Sequence, residues 1–223
     1  MKSKYQVLAL IGKSGAGKDT ILKSTCHSHP LIFNPIVSCT TRPIRDLEVP
    51  GEDYHFISEI EFTDKVLRGE MLEATEFRGW FYGTPVNSLA HDKINIGIFS
   101  PAAVEALIDD PRLHVVVVEI SCSDKLRLTR SLMREVNPDC REICRRYFAD
   151  EEDFAKMDVE PDFVIESTNE SDTDLLRAPD FSVKKLASMW RALDNDAEFQ
   201  CLLRWESSML TKAESANNEG NND

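Results

Sequence analysis

Nothing in these 223 residues approaches the run of ~20 apolar positions that a membrane-spanning helix needs. The apolar runs are strand-sized, as in Val115-Val116-Val117-Val118. Met1-Lys2-Ser3-Lys4 leads into a strand-like run that stops at Gly12 with no small-residue cleavage site, so neither a secretory signal nor a lipid anchor is expected. Paired cysteines are also lacking. The six present (Cys26, Cys39, Cys122, Cys140, Cys144, Cys201) form no CxxC pair. Cys140 and Cys144 share a helical spacing, and Cys26-His27-Ser28-His29 is a local cluster, but neither has a second pair at zinc spacing. Reduced thiols in a cytoplasmic chain are the expectation. The third lack is basic charge. A net charge of −13 argues against a nucleic-acid binder, whose affinity rests on neutralising phosphates. The acidity is uneven: residues 1–147 hold 19 Lys/Arg against 20 Asp/Glu, whereas residues 148–223 hold 7 against 19. The first two-thirds can therefore still take an anion. With 42% apolar and 29% charged residues the chain has the means to build a core, which excludes wholesale disorder.

Four short runs rich in Val, Ile and Leu (6–11, 94–99, 114–120 and 162–165) are apolar on both faces, as buried parallel strands require. Helical stretches are expected between them at 18–28, 101–109, 124–135 and 141–156. Strand and helix in alternation imply a parallel α/β sheet with right-handed crossovers. Apolar spacing (Val183, Leu186, Trp190, Leu193) predicts a further helix over 182–203, and the polar, acidic stretch 206–223 is expected to be a disordered tail. Residues 36–85 break the rhythm with Pro43, Pro50, Gly51, Gly79 and Gly83, and are expected to form a small, mostly β insertion.

Gly12-Lys13-Ser14-Gly15-Ala16-Gly17-Lys18-Asp19-Thr20 follows the first strand and opens the first helix, the context a phosphate-binding loop requires. Its glycines let backbone N–H groups curl around phosphate oxygens at a helix N-terminus, and Lys18 is placed to reach the β- and γ-phosphates of a nucleoside triphosphate. The residue after Lys18 is Asp19, where a hydroxyl would normally face Mg²⁺. A carboxylate suits a hard cation, so Asp19 is the candidate metal ligand, with an inward-turned Thr20 as the alternative. In the insertion, Arg42 and Arg45 offer planar forks for a phosphate, Ser38 and Tyr54 offer hydroxyls, and Glu48 is spaced to hold an arginine in place.

With the phosphate loop, the run from Ser38 through Thr40-Thr41-Arg42, Arg45, Glu48, Gly51, Asp53-Tyr54 and Phe56, and the run from Leu72-Glu73 to Tyr82-Gly83-Thr84, the sequence resembles the guanylate kinase family over residues 6–169. The resemblance implies a three-layer parallel sheet of the P-loop NTPase type with a mostly-β, nucleoside-monophosphate-binding insertion and a helical lid. It implies a domain over 1–205 (core 1–35 and 86–205, insertion 36–85, lid about 130–146), followed by the tail. It further implies that Mg²⁺ and ATP serve as cofactor and co-substrate, and that Ser38, Arg42, Arg45, Tyr54 and Tyr82 hold the monophosphate of GMP or dGMP. Glu73 would read the guanine edge with Thr84 beside it. Lid arginines would close over the phosphates, Arg134 and Arg146 foremost among Arg130, Arg134, Arg145 and Arg146. Guanine presents N1–H and N2–H₂ donors side by side, which one carboxylate can accept together.

Where the family strand after the insertion ends in an Asp-x-Asp pair, this chain has Ile98-Phe99-Ser100-Pro101, with no carboxylate. The adenine contact expected near Asn169 is likewise altered, in the setting Glu166-Ser167-Thr168-Asn169. Two other readings stay open: a phosphosugar kinase of the same fold, acting on ribose 1,5-bisphosphate, and a catalytically silent binding module. Small-molecule substrates, no nucleic acid or membrane, and a monomer or homodimer complete the expectations.

Overall fold

Parallel strands buried on both faces carry the architecture. The computed structural model describes residues 5–45, 48–77, 79–134 and 136–167; the expectations for residues 168 and 169, the helix 182–203 and the stretch 206–223 lie outside them. In chain order the elements are β1 (Tyr5–Ile11), α1 (Lys18–Ser28), β2 (Phe33–Pro35), β3 (Cys39–Thr40), β4 (His55–Phe56), α2 (Glu59–Leu67), β5 (Met71–Phe77), β6 (Trp80–Pro85), β7 (Ile94–Ile98), α3 (Pro101–Ile108), β8 (Leu113–Ser121), α4 (Asp124–Met133), α5 (Cys140–Ala155) and β9 (Phe163–Glu166).

A five-stranded sheet has the order β2-β7-β1-β8-β9, with every pairing parallel. β1 lies at its centre, Val7 to Ile11 being no more than 1% exposed. Ala103, Val104 and Leu107 of α3 pack onto this core with Phe99 and Val117. Asn95 is the polar exception inside the sheet, and its side chain is fully used. Nδ2 donates to the carbonyls of Gln6 and Ala90, while Oδ1 accepts from Asn34 and from the Ala90 N–H. Ligands of such sheets sit beyond the carboxyl ends of the strands, where the strand order reverses. Here β1 ends at Ile11 between β7 and β8, and the phosphate loop follows directly.

The second sheet, order β4-β3-β6-β5, lies wholly within residues 39–85. Its β5–β6 hairpin pairs Glu73 with Thr84 and Thr75 with Tyr82, which sets those side chains in a common register. Two elements go beyond the sequence expectation. β2 is a three-residue edge strand containing Pro35, too short and too polar to announce itself. Helix α2 interrupts the mostly-β insertion; Ser58 accepts from the Glu61 N–H while the Glu61 side chain accepts from the Ser58 N–H, a full capping box. The four core strands and four helices expected from the sequence all form, with ends shifted by up to two residues.

Candidate active site

A cleft of about 880 Å³ opens between the carboxyl edge of the large sheet, the small sheet, and helices α4 and α5. Its floor is the phosphate loop. Gly12, Gly15 and Gly17 take φ of 150°, 81° and 100°, so the loop curls as only glycine allows without strain. Space demands glycine too: a Cβ at Gly15 would stand 2.5 Å from the Arg127 carbonyl oxygen, and one at Gly12 would overlap the Ile120 carbonyl. Lys18 Nζ donates to the carbonyls of Gly12 (2.7 Å) and Lys13 (3.2 Å), bridging the loop across its own mouth. Desolvation in the cleft pulls Lys18 below the ordinary lysine value, against the opposing pull of Asp19 and Asp150.

The far wall comes from α4 and α5. Arg127 is 2% exposed; its Nε donates to the Ser14 carbonyl, and its Nη1 donates to Asp124 and Glu151, each at 3.1 Å. The Ser14 N–H donates to Asp150 Oδ2 at 2.6 Å, and Lys13 pairs with Glu151. Tyr147 lies under the Arg127 guanidinium, 4.9 Å from ring centre to charge. Arg130 donates to Ala16 O and Ser167 Oγ, while Arg134, at the C-cap of α4, and Arg146 also line the cleft. Arg146 is steadied by Glu142 at 2.7 Å. Arg145 pairs with Glu142 and is not among the lining residues.

The opposite wall is the insertion. Arg42, 8% exposed, pairs with Glu48 at 2.7 Å and lies over the rings of Tyr54 and Phe56. Burial opposes its charge, but the Glu48 hydrogen bond prevails and raises its pKa; for Glu48 the same bond and the Arg45 N–H overcome burial and lower it. Arg45 is held below its ordinary value by burial and by the positive charges of Arg42 and Arg146. Arg42, Arg45 and Arg146 thus lie close enough to feel one another's charge, with Glu48 pairing Arg42 and 3.8 Å from Arg45, a setting that suits a further anion. Tyr54, whose hydroxyl burial pushes up to about 12, meets Tyr82 edge-on at 6.0 Å.

Deeper along β5 and β6, Thr84 Oγ1 donates to Glu73 Oε1 at 2.7 Å. Glu73 Oε2 is buried with no hydrogen-bond partner, and burial pushes the carboxyl up to about 7. An unpaired buried carboxylate oxygen is costly, and Oε2 is left able to accept from a donor that enters the cleft. Ser38, expected among the phosphate ligands, stands beside Thr84 instead, with the two hydroxyls 3.4 Å apart. Gly83 makes this corner possible, because a Cβ there would meet the Glu73 carbonyl at 2.9 Å and the Phe62 ring at 3.0 Å.

Asp19 and Thr20 line the cleft at the start of α1, exposed to it. Among the described residues no group of three or more His, Cys, Asp or Glu could hold a metal ion. Mg²⁺ does not need such a cage, since it keeps waters and takes one or two carboxylates with substrate phosphates, and Asp19 fits that donor set. Ser100 is occupied as the N-cap of α3, accepting from the Ala103 N–H. Carboxylates missing from that strand end are present across the cleft as Asp150 and Asp153 of α5. Sequence reading missed these two and Arg127, because charges at helical spacing look like a solvated face until the facing element is known.

Residues 4–176 match the family model described as Guanylate kinase. A guanylate kinase of Lactiplantibacillus plantarum is 30% identical over 210 residues, covering 89% of this chain and 100% of that protein. That of Synechococcus elongatus is 35% identical over 144 residues, 63% of this chain and 70% of the relative. That of a Nostoc species is 45% identical over 80 residues, 36% of this chain; there the chain spans only 40% of the relative's length. A solved guanylate kinase from Anaplasma phagocytophilum superposes with a TM-score of 0.57 at 21% identity, covering 91% of this chain and 95% of that one, and so shares the fold. No helix among the described residues is long and apolar enough to cross a membrane.

Proposed function

The chain belongs to the guanylate kinase family, and from that premise we propose that it transfers the γ-phosphoryl group of ATP to GMP or dGMP, giving ADP and GDP or dGDP. The observation that carries this reading is Glu73: a buried carboxylate whose Oε2 has no partner, at the closed end of a cleft whose other end is a phosphate loop. Guanine N1–H and N2–H₂ satisfy such a carboxylate together, whereas adenine offers no such donor pair and would leave the charge unpaired. Thr84 fixes the Glu73 rotamer, and Ser38 adds a hydroxyl at the base. Arg42, Arg45, Tyr54 and Tyr82 take the monophosphate, with Glu48 holding Arg42 in place.

On the donor side, the loop from Gly12 to Thr20 cradles the triphosphate with backbone N–H groups, and Lys18 exchanges its carbonyl partners for phosphate oxygens. Asp19 would hold Mg²⁺ together with the phosphates, and the ion would supply charge neutralisation there. A monophosphate oxygen of the acceptor attacks the γ-phosphorus in line; the new P–O bond forms as the bond to the β–γ bridging oxygen breaks, and the electron pair leaves with ADP. No protein nucleophile takes part. Lys18, Arg134 and Arg146 neutralise the transferring group, a task that is mainly positioning and electrostatics. In this reading residues 36–85 are the acceptor-binding insertion and residues 130–146 the lid. Closure excludes water, the competing acceptor.

The test is ADP release with Mg·ATP, run in parallel with GMP, dGMP, AMP, dTMP and ribose 1,5-bisphosphate. Turnover confined to the guanine nucleotides is expected. Turnover with the phosphosugar alone overturns the proposal, and GMP binding without any turnover points to a silent binding module.

A further inference from the structure

We infer that Asp150 is a positioning residue with two berths, and that its carboxylate holds the phosphate-loop N–H of Ser14 until a nucleotide phosphate claims that donor. The inference rests on the reading of the loop as an ATP site. Asp150 is 8% exposed and reaches the loop from α5, 136 residues away in sequence. Its Oδ2 accepts from the Ser14 N–H at 2.6 Å. Backbone N–H groups of such a loop are anion donors, so a carboxylate there is an anion in an anion's place.

The second berth lies alongside. Arg127 spends its Nε on the Ser14 carbonyl and its Nη1 on Asp124 and Glu151, but its buried Nη2 makes no hydrogen bond. That Nη2 stands 3.8 Å from Asp150 Oδ2, about an ångström beyond charge-assisted hydrogen-bond length. A small rotation of one side chain therefore moves the carboxylate from the loop to the guanidinium. The move completes the partners of a buried cation and frees a loop donor at once. Without it, Asp150 and the incoming phosphate would be like charges at one N–H. Arg146 lies one turn earlier on the same face of α5 and also lines the cleft, so the helix that releases the loop also carries an arginine toward the phosphates.

Titration calorimetry of ATP on the full chain tests this. Asp150→Asn keeps an acceptor for Ser14 but removes the competing charge, and ATP affinity is expected to rise about five- to ten-fold. Arg127→Lys keeps the buried positive charge but removes Nη2, and ATP affinity is expected to fall several-fold. Adding Asp150→Asn in that background is expected to bring ATP affinity to that of Asp150→Asn alone, above the unaltered chain, whereas independent effects would only cancel to about the unaltered value. GMP affinity stays within about two-fold throughout, since Glu73 and the arginines of the insertion are untouched. Equal or weaker ATP binding by Asp150→Asn overturns the inference, as does a double variant whose affinity is the simple product of the two single effects. If Arg127→Lys does not fold, the Asp150→Asn arm decides alone. ATP that fails to bind the unaltered chain overturns this inference and the proposed function together, whereas normal ATP binding with an unresponsive Asp150→Asn overturns only the inference.

Discussion

Glu73 carries a conflict that a ligand resolves. Burial favours its protonated form up to about pH 7, yet two guanine donors require the carboxylate. GMP affinity is therefore expected to rise with pH, improving about ten-fold per unit below 7 and levelling above it. A pH series of KM for GMP from 5.5 to 8.5 checks this; a flat profile would sink it. Stability runs in the opposite direction. The folded-state value lies above the unfolded one near 4.5, so the folded chain holds the extra proton between those values. The carboxyl costs nothing below the unfolded value and costs progressively more as pH rises toward 7. Glu73→Gln should thus stabilise the ligand-free protein at pH 8, by about 3 kcal/mol at most, and have no effect near pH 4, while abolishing turnover with GMP. Urea titrations at the two pH values separate the effects. Glu73 was legible in the sequence because it stands in a long, specific pattern with Tyr82 and Thr84. Arg127 and Asp150 stand in no such pattern, and their meaning comes only from the contact between α4, α5 and the loop.

Among the elements, α2 has no residue in the cleft but supports one that has. Its Phe62 is 3% exposed, stacks on Phe81 of β6 at 5.5 Å, and closes the space below Gly83. Removing the cap with Ser58→Ala should cost about 1 kcal/mol in denaturant unfolding, with KM for ATP unchanged. Gly83→Ala is expected to do more, since its Cβ must displace either the Phe62 ring or the backbone that carries Glu73; KM for GMP should rise at least ten-fold, measured against an unaltered KM for ATP. The parallel strands were readable because burial on both faces writes continuous apolar runs. α2 was hidden by a moderate apolar pattern, although Ser58 and Glu61 spelled its capping box. β2 was hidden because Phe33-Asn34-Pro35 relies on its neighbour β7 rather than on its own pattern.

At the scale of the whole molecule, three regions far apart in sequence set Arg42, Arg45, Arg146 and Lys18 around one cleft, although the chain as a whole carries a net charge of −13. The local field, not the total, governs what binds. Phosphate-bearing ligands should raise the thermal midpoint in proportion to the logarithm of their concentration, with GMP effective without ATP. The gain should shrink as ionic strength rises from 0.05 to 0.5 M, because part of the cleft is open to solvent and screened. A GMP effect indifferent to salt would place the binding energy on the base alone.

The order of the large sheet also sets a timetable for the chain as it is made. β1 precedes the other described strands in the chain, yet its partners are Asn95 to Ile98 on one side and Leu113 to Glu119 on the other. A nascent chain must therefore carry this apolar segment unpaired until β7 has been made, while the β5–β6 hairpin, whose closest pair is Phe77 and Trp80 and which ends at Pro85, can zip locally before that. The surface proposed to select the acceptor is thus free to take shape before the loop proposed to bind the donor has a paired strand to stand on.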